Sequence, residues 1–405
     1  MPLAEKTKTK KFSLDKKELE VYLKYANMNL PRHTSYPAVP FWKNDVCEKE
    51  LSSTLKIAAK SQNDFSLYLH IPYCRSLCYY CGCNKEIYPD EKLAKKDPRE
   101  SFLENLLIEA ESYKKDFAKR KLKQVHLGGG TPTFLSPEQL ERLMSSIFKI
   151  FSLAENPEIS IEVDPRVTSE AHLKSLRGFG FNRISLGVQD FDFKVQKAIN
   201  RIQPFTQVKS LLEKCKALGF SVNFDLIYGL PYQTLESMRK TLDQVLELSP
   251  DRIAFYRLAM IPHMFKWQKS FQRCDLPVED ELLAINLMAL NSFTENNYEF
   301  IGLDHFAKKD DSLCHALESK TLRRNFQGMT IYRDIEILGL GPSAISQLSS
   351  AYFQKTKDDK TWRKKIEQNE KSFERFYTFT EDDILRKRLI DNTLKNEEID
   401  ASNSR

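Results

Sequence analysis

Four of the chain's eight cysteines lie close together, and they are the side chains best suited to bind a metal or to carry redox chemistry. They are Cys74, Cys78, Cys81 and Cys83. Thiolates spaced four and then three residues apart can bind three corners of a cubane iron–sulfur cluster from one tight loop. Cys83 follows Cys81 by only two residues, which is a poor spacing for a fourth ligand. The spacing therefore predicts three metal ligands and one iron that is open to a substrate or cofactor.

Zinc is the alternative metal for these thiols. Closed zinc sites generally combine two separated pairs of ligands, and the sequence shows no second pair. Cys215 falls in an apolar stripe and is expected in the core, while Cys47, Cys274 and Cys314 stand alone. A large cytosolic chain keeps its thiols reduced, so a disulfide framework is not expected. We therefore favour an iron–sulfur cluster over zinc.

Composition limits the class of protein. At 405 residues the chain exceeds the roughly 250–300 residues at which one core stops growing, so we expect a main domain with smaller attachments. No apolar run approaches the roughly 20 residues that span a bilayer, and the amino terminus lacks the apolar segment of a signal peptide. A net charge of +6 without a lysine stripe disfavours nucleic-acid binding. These features predict a cytoplasmic protein without a membrane or nucleic-acid partner, and we expect a monomer.

A regular alternation of strands and helices must position the cysteine loop. The first strand-like run, 65–71, precedes the loop, and each later run is separated from the next by an amphipathic segment. The later runs cover 122–127, 159–163, 183–188, 221–227 and 251–258. Six such units predict an α/β fold with a parallel sheet covered by helices. The periodicity leaves open whether the sheet is flat or curls into a partial barrel.

Polar residues follow these strands at their carboxyl ends. Flat parallel sheets and parallel barrels both bind ligands at these ends. After the cysteine loop they are Gly128 to Pro132, Glu162 with Asp164, Gln189 with Asp190, Asp225, and 257–260. We therefore expect one rim of the sheet to hold the chemistry.

Three regions are predicted along the chain. Residues 1–60 form an N-terminal arm, and 61–350 form the catalytic domain, whose sheet two further runs at 298–303 and 331–338 could extend. Residues 351–405 are highly charged and are expected to form a shortened, mainly helical C-terminal region. Within this last region, Thr380 and Asp383 resemble a capping box at the start of a helix.

Several sequence motifs accompany the cysteines. They are His70-Ile-Pro-Tyr-Cys74, Cys81-Gly-Cys-Asn84, Gly128-Gly-Gly-Thr-Pro132, Ser160-Ile-Glu-Val-Asp-Pro165, Gly187-Val-Gln-Asp-Phe191, Asp225-Leu-Ile-Tyr-Gly-Leu-Pro231, Asn325-Phe-Gln-Gly328 and Ser343-Ala-Ile345. The three-cysteine spacing with the glycine motif resembles the radical S-adenosylmethionine (SAM) superfamily. In combination, the motifs resemble its oxygen-independent coproporphyrinogen III oxidases. This resemblance implies a partial (β/α)6 TIM-like barrel, the radical SAM core.

The resemblance also implies a chemistry. Cys74, Cys78 and Cys81 would bind a [4Fe–4S] cluster whose open iron binds S-adenosylmethionine. An electron from a small donor such as a flavodoxin or ferredoxin would then release a 5′-deoxyadenosyl radical. The implied reaction is oxidative decarboxylation of two propionates of coproporphyrinogen III to vinyl groups, giving protoporphyrinogen IX in haem biosynthesis.

Further site residues follow from the same resemblance. Tyr68, Gly129 and Glu162 match positions around the cluster-bound S-adenosylmethionine. Positions that line the paired sites of two S-adenosylmethionine molecules are matched by Tyr80, Gly130, Thr131, Gln189, Arg201, Asp225, Ala259 and Ile345. Cys83 is expected to take part in catalysis without binding iron. His70 stays open between a role beside the cluster and a core histidine.

Two relatives of the superfamily are alternatives. A haem-binding chaperone shares the cysteine loop and the glycine motif, but it typically lacks the Cys81-Gly-Cys83 doublet and the arm motif at 32–37, and this chain has both. A radical enzyme that opens haem fits the motifs less well. Family members continue beyond the helix near 385–394 into a longer helical domain over the active site, whereas this chain ends soon after. We therefore expect either that the sequence is truncated or that the covering region is reduced.

Overall fold

The computed structural model of the chain describes residues 35–44, 48–271 and 275–396, together with single positions between 15 and 24. The strands are β1 Phe65–Ile71, β2 Tyr73–Cys74, β3 Glu86–Ile87, β4 Leu122–Gly129, β5 Leu153–Val163, β6 Arg183–Gln189, β7 Ser221–Tyr228, β8 Arg252–Arg257, β9 Tyr298–Gly302, β10 His305–Lys308, β11 Arg323–Asn325, β12 Gly328–Thr330, β13 Glu336–Leu340, β14 Ile345–Gln347, β15 Ala351–Lys355 and β16 Phe373–Thr378.

The helices cover the sheet and connect its strands. They are α1 Glu48–Lys60, α2 Asp90–Lys95, α3 Arg99–Glu111, α4 Lys114–Phe117, α5 Pro137–Ile150, α6 Glu170–Gly178, α7 Phe193–Ala198, α8 Phe205–Ala217, α9 Leu235–Leu248, α10 Glu279–Glu295, α11 Ser312–Glu318, α12 Asp359–Glu367 and α13 Glu381–Asn396. Short 3₁₀ turns occur at Val39–Phe41, Pro132–Phe134 and Lys266–Ser270. No helix among the described residues is long and apolar enough to cross a membrane.

The predicted parallel core is confirmed. The six strands that precede the helical segments lie side by side in the order β1-β4-β5-β6-β7-β8, and every neighbouring pair is parallel. This is the arrangement of a partial (β/α)6 barrel. The two expected extensions lie at opposite ends: β9 joins through antiparallel β10 beside β8, and β13 pairs parallel with β1. The second run starts at Glu336 and not at 331, because Asp334 adopts a positive φ of 51° in a turn.

Alternation along the strands separates an apolar core from a polar interior. In β7, Val222, Phe224 and Leu226 are fully buried and pack under the helices, while Asn223 and Asp225 between them line the inside of the barrel. The helices bury their apolar stripes against the same core, as expected for amphipathic segments. Their buried stripe residues include Leu140, Leu143, Met144 and Ile147 of α5 and Val208, Leu211, Leu212 and Cys215 of α8. The polar inner face is what supplies the site.

The C-terminal region is mainly helical, as expected, but it also adds strands to the sheet. β15 and β16 continue the same sheet beyond β14, so residues 351–378 contribute two strands as well as α12. All five residues of β15 are buried, although the surrounding sequence is highly charged. The charge of its last residue, Lys355, is neutralised inside the protein by Glu109 at 2.8 Å. α13 begins at the predicted capping box, in which Thr380 Oγ1 accepts from the Asp383 N–H at 3.1 Å.

The described part of the N-terminal arm packs against this extension. Trp42 stacks on Tyr352 of β15 with ring centroids 5.0 Å apart, and 48–60 forms helix α1, which buries Leu51 and Leu55. Cys47 and Cys274, expected to be isolated thiols, lie outside the described residues. Cys314 is buried on α11, and its thiol donates to the Lys308 carbonyl at 3.1 Å.

Candidate active site

The cysteine loop is closed at its base by a short parallel ladder. β2 and β3 pair Tyr73 with Glu86 and Cys74 with Ile87, so residues 75–85 form a loop above the carboxyl end of β1. Gly130 holds this base against β4, because its N–H donates to the Ile71 carbonyl at 2.8 Å. A Cβ at Gly130 would lie 2.8 Å from backbone atoms of Pro72 and Tyr73, just before the loop, so only glycine permits this close approach.

A cavity of about 250 Å³ lies under the loop and brings most of the predicted site residues together. Its lining includes Cys74, Cys78, Tyr80, Cys81, Cys83, Gly129, Gly130, Thr131, Glu162, Gln189, Arg201 and Asp225. Tyr68, Ala259 and Ile345 do not line it. Ile345 lines a neighbouring cavity with Phe326 and Gln327, and Ala259 is exposed beyond the end of β8.

Cys78 is held by two arginines. Nη2 of Arg166 and Nη1 of Arg201 each lie 3.6 Å from its sulfur, and both guanidinium groups also bind Asp164. Burial alone would raise the pKa of Asp164, but these two cations hold its pKa well below the ordinary range. The sequence analysis identified Arg201 but missed Arg166.

A hydrogen bond joins the Cys81 and Cys83 side chains and shifts their pKa values in opposite directions. The hydrogen bond from Cys83 is the main cause that lowers the pKa of Cys81 to about 6, and Lys85 adds to this effect. The same bond raises the pKa of Cys83 well above its ordinary value. These opposite shifts make Cys83 the hydrogen-bond donor and Cys81 the acceptor of the pair.

Two residues that the sequence analysis missed fix this segment. Lys85 Nζ donates to the carbonyls of Cys81 and Cys83 at 3.1 and 3.2 Å, and it lies 4.4 Å from the ring centroid of Trp267. Trp267 Nε1 donates to the same Cys81 carbonyl at 3.1 Å. Lys85 and Trp267 thus hold the segment that carries the third cysteine.

The donor set of the cavity fits an iron–sulfur cluster. Cys74, Cys78 and Cys81 present three thiols from one loop to one cavity. Burial raises the pKa of Cys74 to about 12, and a bound metal ion deprotonates such a thiol outright. Among the described residues, no three His, Cys, Asp or Glu side chains are close enough to hold a single metal ion.

His70 connects β1, the cysteine loop and the segment after β13. Its Nε2 lies 3.0 Å from the Asn84 carbonyl, which can only accept, so Nε2 carries a proton. Its Nδ1 then accepts from the Tyr68 hydroxyl at 3.0 Å. Burial lowers the pKa of His70, in agreement with a neutral ring. His70 is therefore a buried connecting residue that supports the loop, and Tyr68 reaches the site through it.

Glu162 stands at the end of β5 beside the glycine motif. Its Oε2 accepts from the Gly129 N–H at 3.2 Å, and its Oε1 lies 3.4 Å from Nε2 of His126. His126 in turn approaches Ser160 Oγ at 2.7 Å. Burial alone would raise the pKa of Glu162, but the contacts with His126 and the Gly129 N–H keep it below its ordinary value. His126, which the sequence analysis missed, faces the interior two residues before the glycines.

Asp225 and Arg201 complete the far side of the cavity. Asp225 accepts from Ser185 Oγ at 2.7 Å and from Asn223 Nδ2 at 2.9 Å. Burial, together with the nearby charge of Glu162, raises the pKa of Asp225 to about 6. Arg201 Nη2 donates to the Gly187 carbonyl at 2.7 Å. The cavity thus offers carboxylates and a guanidinium to a polar, charged ligand.

Comparison with known proteins agrees with this geometry. A model of the radical SAM superfamily matches residues 68–245. The oxygen-independent coproporphyrinogen III oxidase of Salmonella typhimurium is 40% identical over 374 residues, which cover 92% of this chain and 80% of that protein. The protein of the same name from Escherichia coli strain K12 is 39% identical over 384 residues, or 95% of this chain and 82% of that protein.

Structural comparison gives the same result. A solved structure of coproporphyrinogen III oxidase from Escherichia coli, described as a radical SAM enzyme, superimposes with a TM-score of 0.87. The two share 38% sequence identity, and the match covers 96% of this chain and 85% of the other. By sequence and by structure, the chain therefore belongs to the oxygen-independent coproporphyrinogen III oxidases, within the radical SAM superfamily.

Proposed function

We propose that the chain catalyses the oxygen-independent oxidative decarboxylation of two propionate side chains of coproporphyrinogen III. Each side chain gives up a β-hydrogen atom, carbon dioxide and one electron, which an external electron acceptor takes, and so becomes a vinyl group. The product is protoporphyrinogen IX. One observation carries the proposal: the three-cysteine loop and the polar strand ends meet in one cavity on the rim where parallel barrels bind ligands. The relatives named for this activity support the substrate.

The cofactors of the superfamily are a [4Fe–4S] cluster and S-adenosylmethionine. When bound, they supply a 5′-deoxyadenosyl radical that removes a hydrogen atom from the β-carbon of a propionate. Cys74, Cys78 and Cys81 hold the cluster through three irons in this proposal. Lys85 and Trp267 keep the third ligand in place through the Cys81 carbonyl. The loop also covers the cavity and excludes water from the reacting atoms.

The remaining cavity residues bind and orient S-adenosylmethionine in this proposal. Glu162 is ionised at neutral pH and can accept hydrogen bonds from an amino group or from hydroxyls. Arg201 can make a forked contact with a carboxylate, either of the cofactor or of a propionate. The aromatic ring of Tyr80 can stack on an adenine. A second S-adenosylmethionine beside the first is part of the proposal, and Gln189 and Asp225 are among the cavity residues proposed to line the paired sites.

The partners are proposed from chemistry. One electron must reach the cluster from outside, and a small donor such as a flavodoxin or ferredoxin suits this step. A monomer in the cytoplasm remains our expectation.

The test is product analysis after anaerobic reaction of the cluster-loaded protein with coproporphyrinogen III, S-adenosylmethionine and dithionite. We expect two vinyl groups and two carbon dioxide molecules per tetrapyrrole. A Cys78→Ser variant, which lacks one proposed ligand, is the matched negative control. Stoichiometric haem binding without any vinyl product would contradict the proposal and support the haem chaperone.

A further inference from the structure

An exposed apolar patch lies on the outer side of the cysteine loop. It consists of Phe193, Ile202 and Tyr232, which are 64%, 48% and 41% exposed, and we call it the loop-side patch. The chain turns back after α7, because the Gln203 N–H donates to Gln196 Oε1 at 3.0 Å, and this turn brings Ile202 alongside the helix that begins with Phe193. Clustered exposed apolar residues commonly mark interaction sites.

The residues between Phe193 and Ile202 contact the cysteine loop on both sides of the second cysteine. Asn200 Nδ2 donates to the Leu77 carbonyl at 2.8 Å, and the Tyr79 N–H donates to the Ile199 carbonyl at 3.0 Å. Val195 and Ile199 also pack with Tyr79 in a small apolar cluster. The patch therefore lies beside the part of the loop that carries Cys78, one of the three proposed cluster ligands.

Lysines lie beside the apolar centre. Lys194 and Lys197 are exposed on α7, and Lys194 Nζ lies 4.3 Å from the ring centroid of Tyr232. Lys269 is exposed on the turn whose Gln268 donates to the Tyr80 carbonyl. Two acids are also close: Asp192 accepts from the N–H groups at the start of α7 and so caps the helix, and the partly buried Asp275 accepts from the Tyr232 N–H through its main-chain carbonyl at 2.7 Å.

We propose that the loop-side patch is the docking surface for a small acidic electron-carrier protein. The inference deepens the proposed function, on which it rests, by assigning a place to the electron donor. A carrier that has carboxylates around its exposed redox centre has the charge that complements an apolar patch flanked by lysines. One electron passes to the cluster, so the carrier is oxidised by one electron and the cluster is reduced by one.

The test reverses two charges at the patch and two elsewhere. Lys194→Glu with Lys197→Glu changes the rim, while Lys119→Glu with Lys121→Glu is the matched control before the amino end of β4, at the opposite rim of the barrel. The probe is flavodoxin: the oxidised form for binding by calorimetry, and the hydroquinone form for cluster reduction followed by loss of absorbance. We expect about a tenfold or greater loss of affinity and of reduction rate at low salt for the patch variant only.

Dithionite separates docking from damage to the cluster site. The patch variant should accept electrons from dithionite at the wild-type rate, since a small anion needs no docking surface. Wild-type binding and reduction by flavodoxin in the patch variant, or an equal loss in the control, would overturn the inference. Absence of vinyl product from the wild type with dithionite would instead overturn the proposed function, so the two failures are distinguishable.

Discussion

Glu162 and Asp225 are two carboxylates in one cavity whose pKa values shift in opposite directions. Contacts with His126 and with the Gly129 N–H keep the pKa of Glu162 low despite its burial. Asp225 receives hydrogen bonds from Ser185 and Asn223, but burial dominates and raises its pKa to about 6. Near neutral pH Glu162 is therefore fully ionised, whereas Asp225 changes charge over a slightly acidic range.

This contrast predicts a pH-dependent affinity for S-adenosylmethionine. Because its pKa is raised, Asp225 loses its negative charge as the pH falls through about 6, and a protonated carboxyl accepts hydrogen bonds less well. We expect cluster-loaded protein to bind S-adenosylmethionine about fivefold more tightly at neutral pH than at about pH 5, the value of one hydrogen bond. Equilibrium dialysis across this range measures it. Asp225→Asn should remove the inflection near 6, and an unchanged profile in that variant would contradict the assignment.

The cysteines give a second prediction at the same scale. Cys78→Ser should lose the cluster, because it removes one of three proposed ligands together with the sulfur beside Arg166 and Arg201. Cys83→Ser should keep the cluster and affect turnover only, since the serine leaves all three proposed ligands in place. Iron analysis and the visible absorbance of both variants measure the outcome. Four irons retained in Cys78→Ser, or cluster loss in Cys83→Ser, would refute the ligand assignment.

Among the elements, α3 and β15 are joined by a buried ion pair. Lys355 Nζ lies 2.8 Å from Glu109 Oε1 and donates to the Tyr113 hydroxyl at 2.6 Å, and both charged side chains are at most 1% exposed. The other oxygen of Glu109 accepts from the Gly341 N–H at 2.7 Å. Gly341 itself packs against the backbone of His70, where a Cβ would lie 2.5 Å from the carbonyl oxygen. The pair thus ties the C-terminal extension to the base of the cysteine loop.

Breaking this pair should destabilise the fold strongly. Lys355→Met leaves Glu109 buried without its cation, and such a change typically costs about 3–5 kcal/mol. We expect a loss of this size in the free energy of unfolding, measured by urea denaturation. Lys240→Met is the matched control: its pair with Glu236 is exposed, and it should change stability by at most about 0.5 kcal/mol. Equal effects in the two variants would show that burial of the pair is unimportant.

Much of this element order could be predicted from the sequence. The six parallel strands were found because each is a short apolar run followed by an amphipathic segment, and the capping box at Thr380 is local. The strands that were missed are short or lie in charged sequence: they are β2, β3, β10 to β12 and β14 to β16. His126 could have been predicted, because side chains along a strand alternate between the two faces of the sheet and His126 lies two residues before Gly128, on the inner face.

Long-range contacts account for the missed site residues. Arg166 contacts Cys78 across 88 positions, and Trp267 reaches the Cys81 carbonyl across 186. No local pattern marks such partners, because they are set by how the barrel closes. The same reason explains why the sequence did not single out Lys85, whose ammonium group lies 4.4 Å from the ring centroid of Trp267.

For the whole molecule, the twelve-stranded sheet is continuous from β9 at one edge to β16 at the other. β13 pairs with β1, so the last strands of the chain join the sheet next to its first strand. The expected domain boundary at residue 350 therefore falls inside this sheet. We therefore expect that residues 351–378 belong to the same folding unit as the barrel.

Two truncations test this expectation. A chain that ends at residue 350 loses β15 and β16, which leaves β14 as a bare edge and Glu109 without Lys355. We expect it to aggregate or to unfold without cooperativity, as judged by gel filtration and circular dichroism. A chain that ends at Thr378 keeps both strands and loses only α13, so it should fold with reduced stability. If the shorter chain instead unfolded cooperatively and bound the cluster, residues 61–350 would be an independent domain, as the sequence alone predicts.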